Sequence, residues 1–464
     1  MRVLPAVYDN GSHVHTFPQG TAYIAAALRN AGHRVVIWQQ DVNHWPDEKL
    51  TEFLDESVPF DVVGLGVIGG YWQYQRMLGL SKAINASVHR PKWYILGGHG
   101  PSPAVEFFLR RSGANFVVRG EGERTVVELL DTLEDESPLE LVFGISFLAP
   151  SGDCVNTPNR PLLRMEEVPR PAYDLFPIEY YRLASSPNAS RTDFVMPVAS
   201  ARGCPFRCNF CYRMDPGVRL REPVDILDEI GYLQRRYGIT YIDFSDELLM
   251  TSEERTHLLC EAFLRYEQPF KWCCNGRLNY ATKEVLQLMK RTGCVFINYG
   301  IESFDDEALR QMNKHLTCEQ IVRGVENTIA VGLSAGLNVI WGNLGEDERT
   351  LRQSVGFLKK YADTSHLRTI RPVTPYPGSD LFRYATEHGL LQDAEEFYEQ
   401  KHKNSDLLAV NFTSMSDDGF HRALMEANCE LIEDHYSKVA SETMTEARSL
   451  YQGHNINFRG FRQM

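Results

Sequence analysis

The chain has no surplus of positive charge, no long apolar run and, in seven of its ten cysteines, no paired spacing. With 48 Lys and Arg against 61 Asp and Glu, its 464 residues carry a formal charge of −13. Binding a phosphate backbone needs clustered Lys and Arg, so a nucleic acid is not expected as a partner. No apolar stretch approaches the roughly 20 residues of a membrane span. The opening "MRVLPAVYDN" also lacks the basic run, apolar core and cleavage site of a secretory signal. The expectation is a cytoplasmic protein with no membrane partner. Seven of the ten cysteines (Cys154, Cys260, Cys273, Cys274, Cys294, Cys318 and Cys429) are scattered, so in a reducing compartment they read as buried small hydrophobes rather than disulfides. Repeats and low-complexity segments are missing too, and 43% hydrophobic with 23% charged residues suits a chain that folds throughout.

Two α/β rhythms are present. In residues 1–148 the strand candidates "RVLPAVY", "RVVIW", "DVVGLGV", "WYILGG" and "FVVRG" alternate with helical patterns such as "GTAYIAAALRNAG", which Gly32 can stop. This predicts a doubly wound, Rossmann-like parallel sheet, with its ligand crevice at the strand carboxyl ends. There lie the glycine-bearing loops "FPQG", "GLGVIGG", "LGGHGPSP" and "RGEGE". Residues 149–193 are proline-rich and aperiodic, which reads as a linker. In residues 194–390 six further strands ("DFVMPVAS", "TYIDFS", "FKWCCNG", "CVFINYG", "GLNVIWG", "LRTIRPV") predict a partial (βα)6 barrel with its site again at the strand carboxyl ends. Residues 391–464 read as a helical C-terminal cap.

The remaining three cysteines stand in "ARGCPFRCNFCYR", directly after the first barrel strand. The spacing C-x3-C-x2-C of Cys204, Cys208 and Cys211 is one ligand short of a structural zinc site, and no second C-x2-C pair lies nearby. An iron-sulfur cubane held by three thiolates would keep one iron open to a ligand. A chance cluster of cysteines in a loop is the alternative.

These residues, with Tyr212 after the third cysteine, resemble the signature of the radical S-adenosylmethionine superfamily. "TYIDFSDELL", "GIESFDDEALRQMNK" and "TPYPGSDLF" resemble the segments at the ends of the second, fourth and sixth strands of that barrel. The resemblance implies that Cys204, Cys208 and Cys211 hold a [4Fe-4S] cluster and that Tyr212 backs the adenine of S-adenosyl-L-methionine. It further places Asp246 and Glu247 near the methionine amine, and Glu302 and Ser303 at the ribose. Arg277 is either part of that site or a structural ion-pair partner. Cys273 and Cys274 are adjacent on one strand, face opposite ways and read as core.

The first unit resembles the cobalamin-binding domain fused to one class of these enzymes. The resemblance rests on "FPQGTAYIAAALRNAGHRVVIWQQD", "DVVGLGVIGGYWQY", "WYILGGHGPSPAVEFFL" and "NFVVRGEGERTVVELL". It implies cobalamin-binding roles for Gly20, Gly66, Val67, Tyr71, Trp72, Gly97, Gly98, His99, Gly120, Glu121, Gly122 and Glu123. Fold alone would equally admit another nucleotide. The string D-x-H-x-x-G, whose His ligates cobalt in many such proteins, does not occur, and His13, His15 and His99 lack its spacing. The lower cobalt face is thus expected without a His, with Tyr71 and Trp72 as candidates to cover it or as ordinary helix-start packing.

The function implied is methyl transfer from methylcobalamin to a carbon centre of a small molecule or peptide, through a 5'-deoxyadenosyl radical and with an external low-potential electron donor. Cyclisation or rearrangement without methyl transfer uses the same parts, and a non-catalytic cobalamin or iron-sulfur carrier is the alternative of another class. The tail "NINFRGFRQM" offers Arg459 and Arg462, beside Phe458 and Phe461, as groups that fold back and close the barrel over an acidic substrate; a solvated terminus is the plainer reading.

Overall fold

Unbroken apolar runs favour strands covered on both faces, and the computed structural model, which describes residues 1–12, 16–214 and 216–454, builds two such sheets. The first contains β1 (Arg2–Val7), β2 (Arg34–Val35), β3 (Trp38–Gln39), β4 (Val62–Gly66), β5 (Trp93–Gly97), β6 (Phe116–Val118), β7 (Ile145–Leu148) and β8 (Cys154–Asn156). Its order is β2-β1-β4-β5-β6-β7-β8, with β3 also on β1. Pairing is parallel from β1 to β6 and antiparallel from β6 to β8. Strand order reverses between β1 and β4, so a crevice opens at their carboxyl ends.

The sheet therefore runs to Asn156, past the 148 expected from sequence, because β8 folds back on β7. The rest of the proline-rich segment is irregular but not loose. Tyr173, Phe176, Ile178 and Tyr181 are buried with Phe17 in the barrel-side core, Tyr173 Oη donates to Glu229 (2.5 Å) and Tyr181 Oη donates to Asp41 (2.9 Å). Prolines deny this segment a ladder but leave its aromatics free to pack between the two units.

In the second unit β9 (Val195–Val198) leads to the hairpin β10 (Ala201–Cys204) and β11 (Gly217–Leu220), followed by β12 (Tyr241–Phe244), β13 (Lys271–Gly276), β14 (Cys294–Glu302), β15 (Ser334–Trp341) and the short β16 (Arg371–Pro372). Strands β9, β12, β13, β14, β15 and β16 form one all-parallel sheet in that sequence, an open partial barrel.

The C-terminal region is not a single cap on the barrel. Leu391, Phe397, Tyr398 and Val410 join the core of the first unit. Tyr398 packs on Tyr74, Phe107 and Phe108 (centroids 5.3, 5.7 and 5.3 Å), and Tyr74 Oη donates to Glu399 (2.7 Å). The helix Asp417–Gly453 lies on the barrel, where Phe420 stacks on Trp341 at 4.2 Å, and Leu408 and Met415 before it also pack on the barrel-side core. Arg459 and Arg462, like His13 and His15, lie outside the described residues. No described helix is long and apolar enough to cross a membrane.

Candidate functional site

The three clustered cysteines sit on the loop closed by β10 and β11, with Cys204 opposite Gly217. Gly203 has φ +82°, and a Cβ there would run into the carbonyl of Gly217, so the close approach that shapes this loop needs glycine. Asn209, between the second and third cysteines, is the anchor. Its N–H donates to Met312 O (3.0 Å), its carbonyl accepts from Leu381 (2.8 Å), and its amide exchanges hydrogen bonds with Asn343 (3.1 and 2.9 Å). The Arg277 guanidinium lies 3.6 Å over the Phe206 ring and donates to the carbonyls of Lys314 and of His315 (3.0 Å). Arg277 thus holds the loop from beneath, a positioning role.

Burial pushes the Cys211 thiol up to about 12, with the neighbouring Cys208 and Glu302 adding to the shift, although Cys211 is reachable by solvent. Burial also raises Cys208. As free groups these thiols would stay protonated, and metal coordination is what makes such thiols thiolates. Among the described residues no three His, Cys, Asp or Glu side chains are placed to hold a single metal ion. Three thiols on one loop are the donor set of a cubane cluster that keeps one iron open.

At the strand ends most of the expected acids are already engaged. Asp246 is 2% exposed and accepts from the backbone N–H of Ser200 (2.6 Å) and Ala201 (2.9 Å) and from Ser200 Oγ. It fastens the start of the cysteine hairpin and does not face the opening, and burial lifts its pKa to about 6. Glu302, at φ +70°, pairs with buried Lys314 (2.9 Å). Ser303 donates to Glu346 (2.8 Å), whose other oxygen accepts from the N–H of Gly342 and Asn343 (2.9 and 3.0 Å). Glu247 is exposed at the rim.

Sequence reasoning missed an amide relay across the barrel lining. Asn338 donates to Asn298 (2.8 Å), Asn298 to Asn275 (3.0 Å) and Asn275 to the carbonyl of Asp246 (2.8 Å). A carbonyl can only accept, so the anchor at Asp246 fixes the direction of all three amides and turns the Asn338 oxygen to the open end. The available signal was one Asn in each of three otherwise apolar strands, "CCNG", "FINYG" and "GLNV".

In the first unit, Val67 and Gly98 form a tight cradle. Gly98 has φ +95°, and a Cβ there would lie 2.6 Å from Val67 O. Val67 N–H donates to Gly97 O (2.8 Å) and Gly100 N–H to Val67 O (3.0 Å). Along its rim Ile68 and Trp72 are 62% and 48% exposed, and Trp72 lies against Gly11, where a Cβ would be 3.0 Å from its ring. Apolar side chains left open around a backbone-lined cradle fit a large planar cofactor with a polar tail. Tyr71 opens the helix Tyr71–Ala86. Gly66, Gly97 and Gly120 (φ +71°) end strands or turn beside this cradle, and Gly122 packs under Ile24.

Of the expected cofactor residues, one is helical and exposed and two stand in ion pairs. Gly20 lies inside the helix Gln19–Asn30, exposed and with open space where a Cβ would be, so nothing there demands glycine. Glu121 pairs with Arg202 (2.7 Å) and Arg219 (2.7 Å), and Glu123 pairs with Arg202 (2.6 Å), both arginines belonging to the cysteine hairpin. These carboxylates are spent on the interface between the units.

The two halves of the site meet at Tyr212. Its ring stands edge-on to His99 at 6.1 Å and lies over Gly378 (φ +90°), where a Cβ would be 2.5 Å from Tyr212 and 2.8 Å from Pro103. His99 is, like Cys211, exposed, and its contact with Tyr212 brings the loop of the thiol clamp beside the loop of the glycine cradle. The surface cleft of about 900 Å3 between the helices Pro223–Tyr237 and Glu253–Arg265 is lined by none of these residues.

Fold and site together define a class: a partial barrel with a three-thiol clamp facing a Rossmann-like cofactor domain. Residues 198–358 match the radical SAM superfamily and residues 11–130 the B12 binding domain. An uncharacterized methyltransferase of Pyrococcus horikoshii is 30% identical over 383 residues, covering 81% of this chain and 79% of the relative. An anaerobic magnesium-protoporphyrin IX monomethyl ester cyclase of Rubrivivax gelatinosus is 25% identical, over 86% and 72%. The structure of the radical S-adenosylmethionine methyltransferase TsrM of Kitasatospora setae, with cobalamin and [4Fe-4S] cluster bound, shares the fold with a TM-score of 0.75 at 18% identity, over 92% of this chain and 89% of that one. The chain belongs to the radical S-adenosylmethionine enzymes that carry a cobalamin-binding domain. Its cofactors are a [4Fe-4S] cluster, S-adenosyl-L-methionine and cobalamin.

Proposed function

We propose that this enzyme transfers a methyl group to a carbon centre of a small molecule or peptide. One observation carries the reading: the cysteine loop and the glycine cradle touch through Tyr212 and His99, so the loops of both cofactor sites lie side by side. When bound, the cluster with S-adenosylmethionine supplies a carbon-centred adenosyl radical and cobalamin supplies the methyl group.

The chain's own residues bind, orient and exclude water. Cys204, Cys208 and Cys211 hold the cluster, on a loop that Asn209 and Arg277 keep rigid. Tyr212 would back the adenine, and Glu247, exposed next to Asp246 at the second barrel strand's end, would lie towards the methionine amine. Glu302 and Ser303 shape the ribose side through Lys314 and Glu346. Gly98 and Val67 would cradle the cobalamin tail, and Tyr71 and Trp72, at the start of the helix beside that cradle, would pack against the bound cofactor. The acidic balance supports a substrate other than a nucleic acid, and the thiol clamp supports a reducing, cytoplasmic setting with an external low-potential electron donor.

Cyclisation without methyl transfer is the second reading, favoured by the cyclase relatives, which are less similar than the methyltransferase. Anaerobic turnover with a candidate substrate separates the two. Methyl transfer yields 5'-deoxyadenosine together with S-adenosylhomocysteine, and 5'-deoxyadenosine alone would favour the cyclase-type reaction.

A further inference from the structure

We propose that Glu121, Glu123, Arg202 and Arg219 form a positioning clasp that sets the cobalamin cradle against the cluster hairpin. The inference rests on the methyl-transfer reading for its activity assay but not for its geometry. Arg202 and Arg219 are opposite each other in the β10–β11 register, and Cys204 is two residues beyond Arg202 on the same strand. Glu121 receives both arginines and Glu123 receives the second nitrogen of Arg202, with all four side chains less than one-fifth exposed. Arg202 also covers the Tyr23 ring (4.7 Å), and Arg219 donates to Leu163 O (2.5 Å).

From the clasp a short bonded path leads to the cradle. Gly120, next to Glu121, donates its N–H to Ser102 Oγ (3.3 Å), and Ser102 Oγ donates to the carbonyl of Gly98 (2.8 Å). The planar, forked guanidinium fixes angle as well as distance, which a single ammonium would not. None of the four side chains touches a reacting atom. They act through Cys204 at one end and Gly98 at the other.

The test uses the full chain loaded anaerobically with cluster and cobalamin. Two variants are compared: Glu121→Gln, and the pair Glu121→Gln with Arg219→Gln, which leaves less uncompensated buried charge. Iron and cobalamin per chain should match the parent. The magnetic interaction between reduced cluster and Co(II) cobalamin, read by electron paramagnetic resonance, should change from one defined coupling to a spread. S-adenosylhomocysteine formation from S-adenosylmethionine and reduced cobalamin should fall about tenfold to hundredfold, the range a misplacement near 1 Å produces.

An unchanged spin coupling in both variants overturns the clasp. Loss of cobalamin with the cluster retained also overturns it, since Glu121 would then belong to the cofactor, and loss of both cofactors from both variants reduces it to a folding contact. If the parent enzyme itself forms no S-adenosylhomocysteine, the methyl-transfer reading fails while the spin coupling still decides the clasp.

Discussion

Glu346 sits where three hydrogen-bond partners and burial oppose each other, and replacing it with Gln isolates the outcome. The side chain is 4% exposed, accepts from two backbone N–H groups and from Ser303, and burial still lifts its pKa from 4.5 to about 7. Between those values the folded protein holds a proton that the unfolded chain has released. By linkage the contribution is therefore complete below about pH 4.5 and is lost as pH rises through 7. At about 1.4 kcal/mol for each tenfold, the loss is ~3 kcal/mol. In Glu346→Gln the amide oxygen takes both backbone N–H groups and the amide nitrogen donates to Ser303 Oγ, so the neutral hydrogen-bond set survives at every pH. The variant should match the parent within ~1 kcal/mol at about pH 5 and exceed it by ~2–3 kcal/mol above about pH 8, a gain of several degrees in unfolding temperature. Anaerobic thermal unfolding followed by circular dichroism at the two pH values reads the difference. Asp246, also raised, to about 6, is common to both proteins and cancels. An equal gap between variant and parent at both pH values would refute the reasoning.

Three further outcomes are expected. Cys208→Ala should lose the cluster's visible absorbance and all 5'-deoxyadenosine formation while cobalamin stays bound, measured by metal analysis and chromatography. Gly378→Ala forces φ +90° on a residue with a Cβ and pushes Tyr212 from its seat against His99. About 1–2 kcal/mol of backbone strain plus the overlap should weaken S-adenosylmethionine binding more than cobalamin binding, measured by equilibrium dialysis. Tyr398→Ala empties a fully buried aromatic site between the first unit and the C-terminal region, and a loss of ~3–5 kcal/mol should appear in denaturant unfolding.

The strands and the thiol clamp were legible because their signals are local. An unbroken run such as "WYILGG", short and closed by a glycine pair, suits a covered strand, and a C-x3-C-x2-C after a strand places three thiols on one loop wherever the rest of the chain goes. The ion pairs of Glu121 and Glu123 were not legible because the partner of a carboxylate is not written beside it. Arg202 and Arg219 lie 81 and 98 residues from Glu121, and "RGEGE" reads equally well as a phosphate-side loop. Asp246 followed the same pattern, an acid at the right strand end whose oxygens are taken up by Ser200 and Ala201. The Asn275–Asn298–Asn338 relay needed the register of β13, β14 and β15, which strand pattern alone does not supply. Nor does amphipathicity say which sheet a helix covers, and so the segment around Phe397 was assigned to the barrel.

That segment bears on how the protein is made. The hydrophobic core of the first unit includes Leu391, Phe397, Tyr398 and Val410, so the unit cannot close its core when its last strand leaves the ribosome at Asn156. About 250 more residues must follow, and at roughly 5–20 residues per second the wait is on the order of tens of seconds. Through that interval Tyr74, Phe107 and Phe108 stand uncovered on the nascent chain. The B12-type domain is thereby completed only after all the barrel strands have been made, although it is synthesised first, and the barrel in turn waits for Phe420 and Leu431 of the last helix.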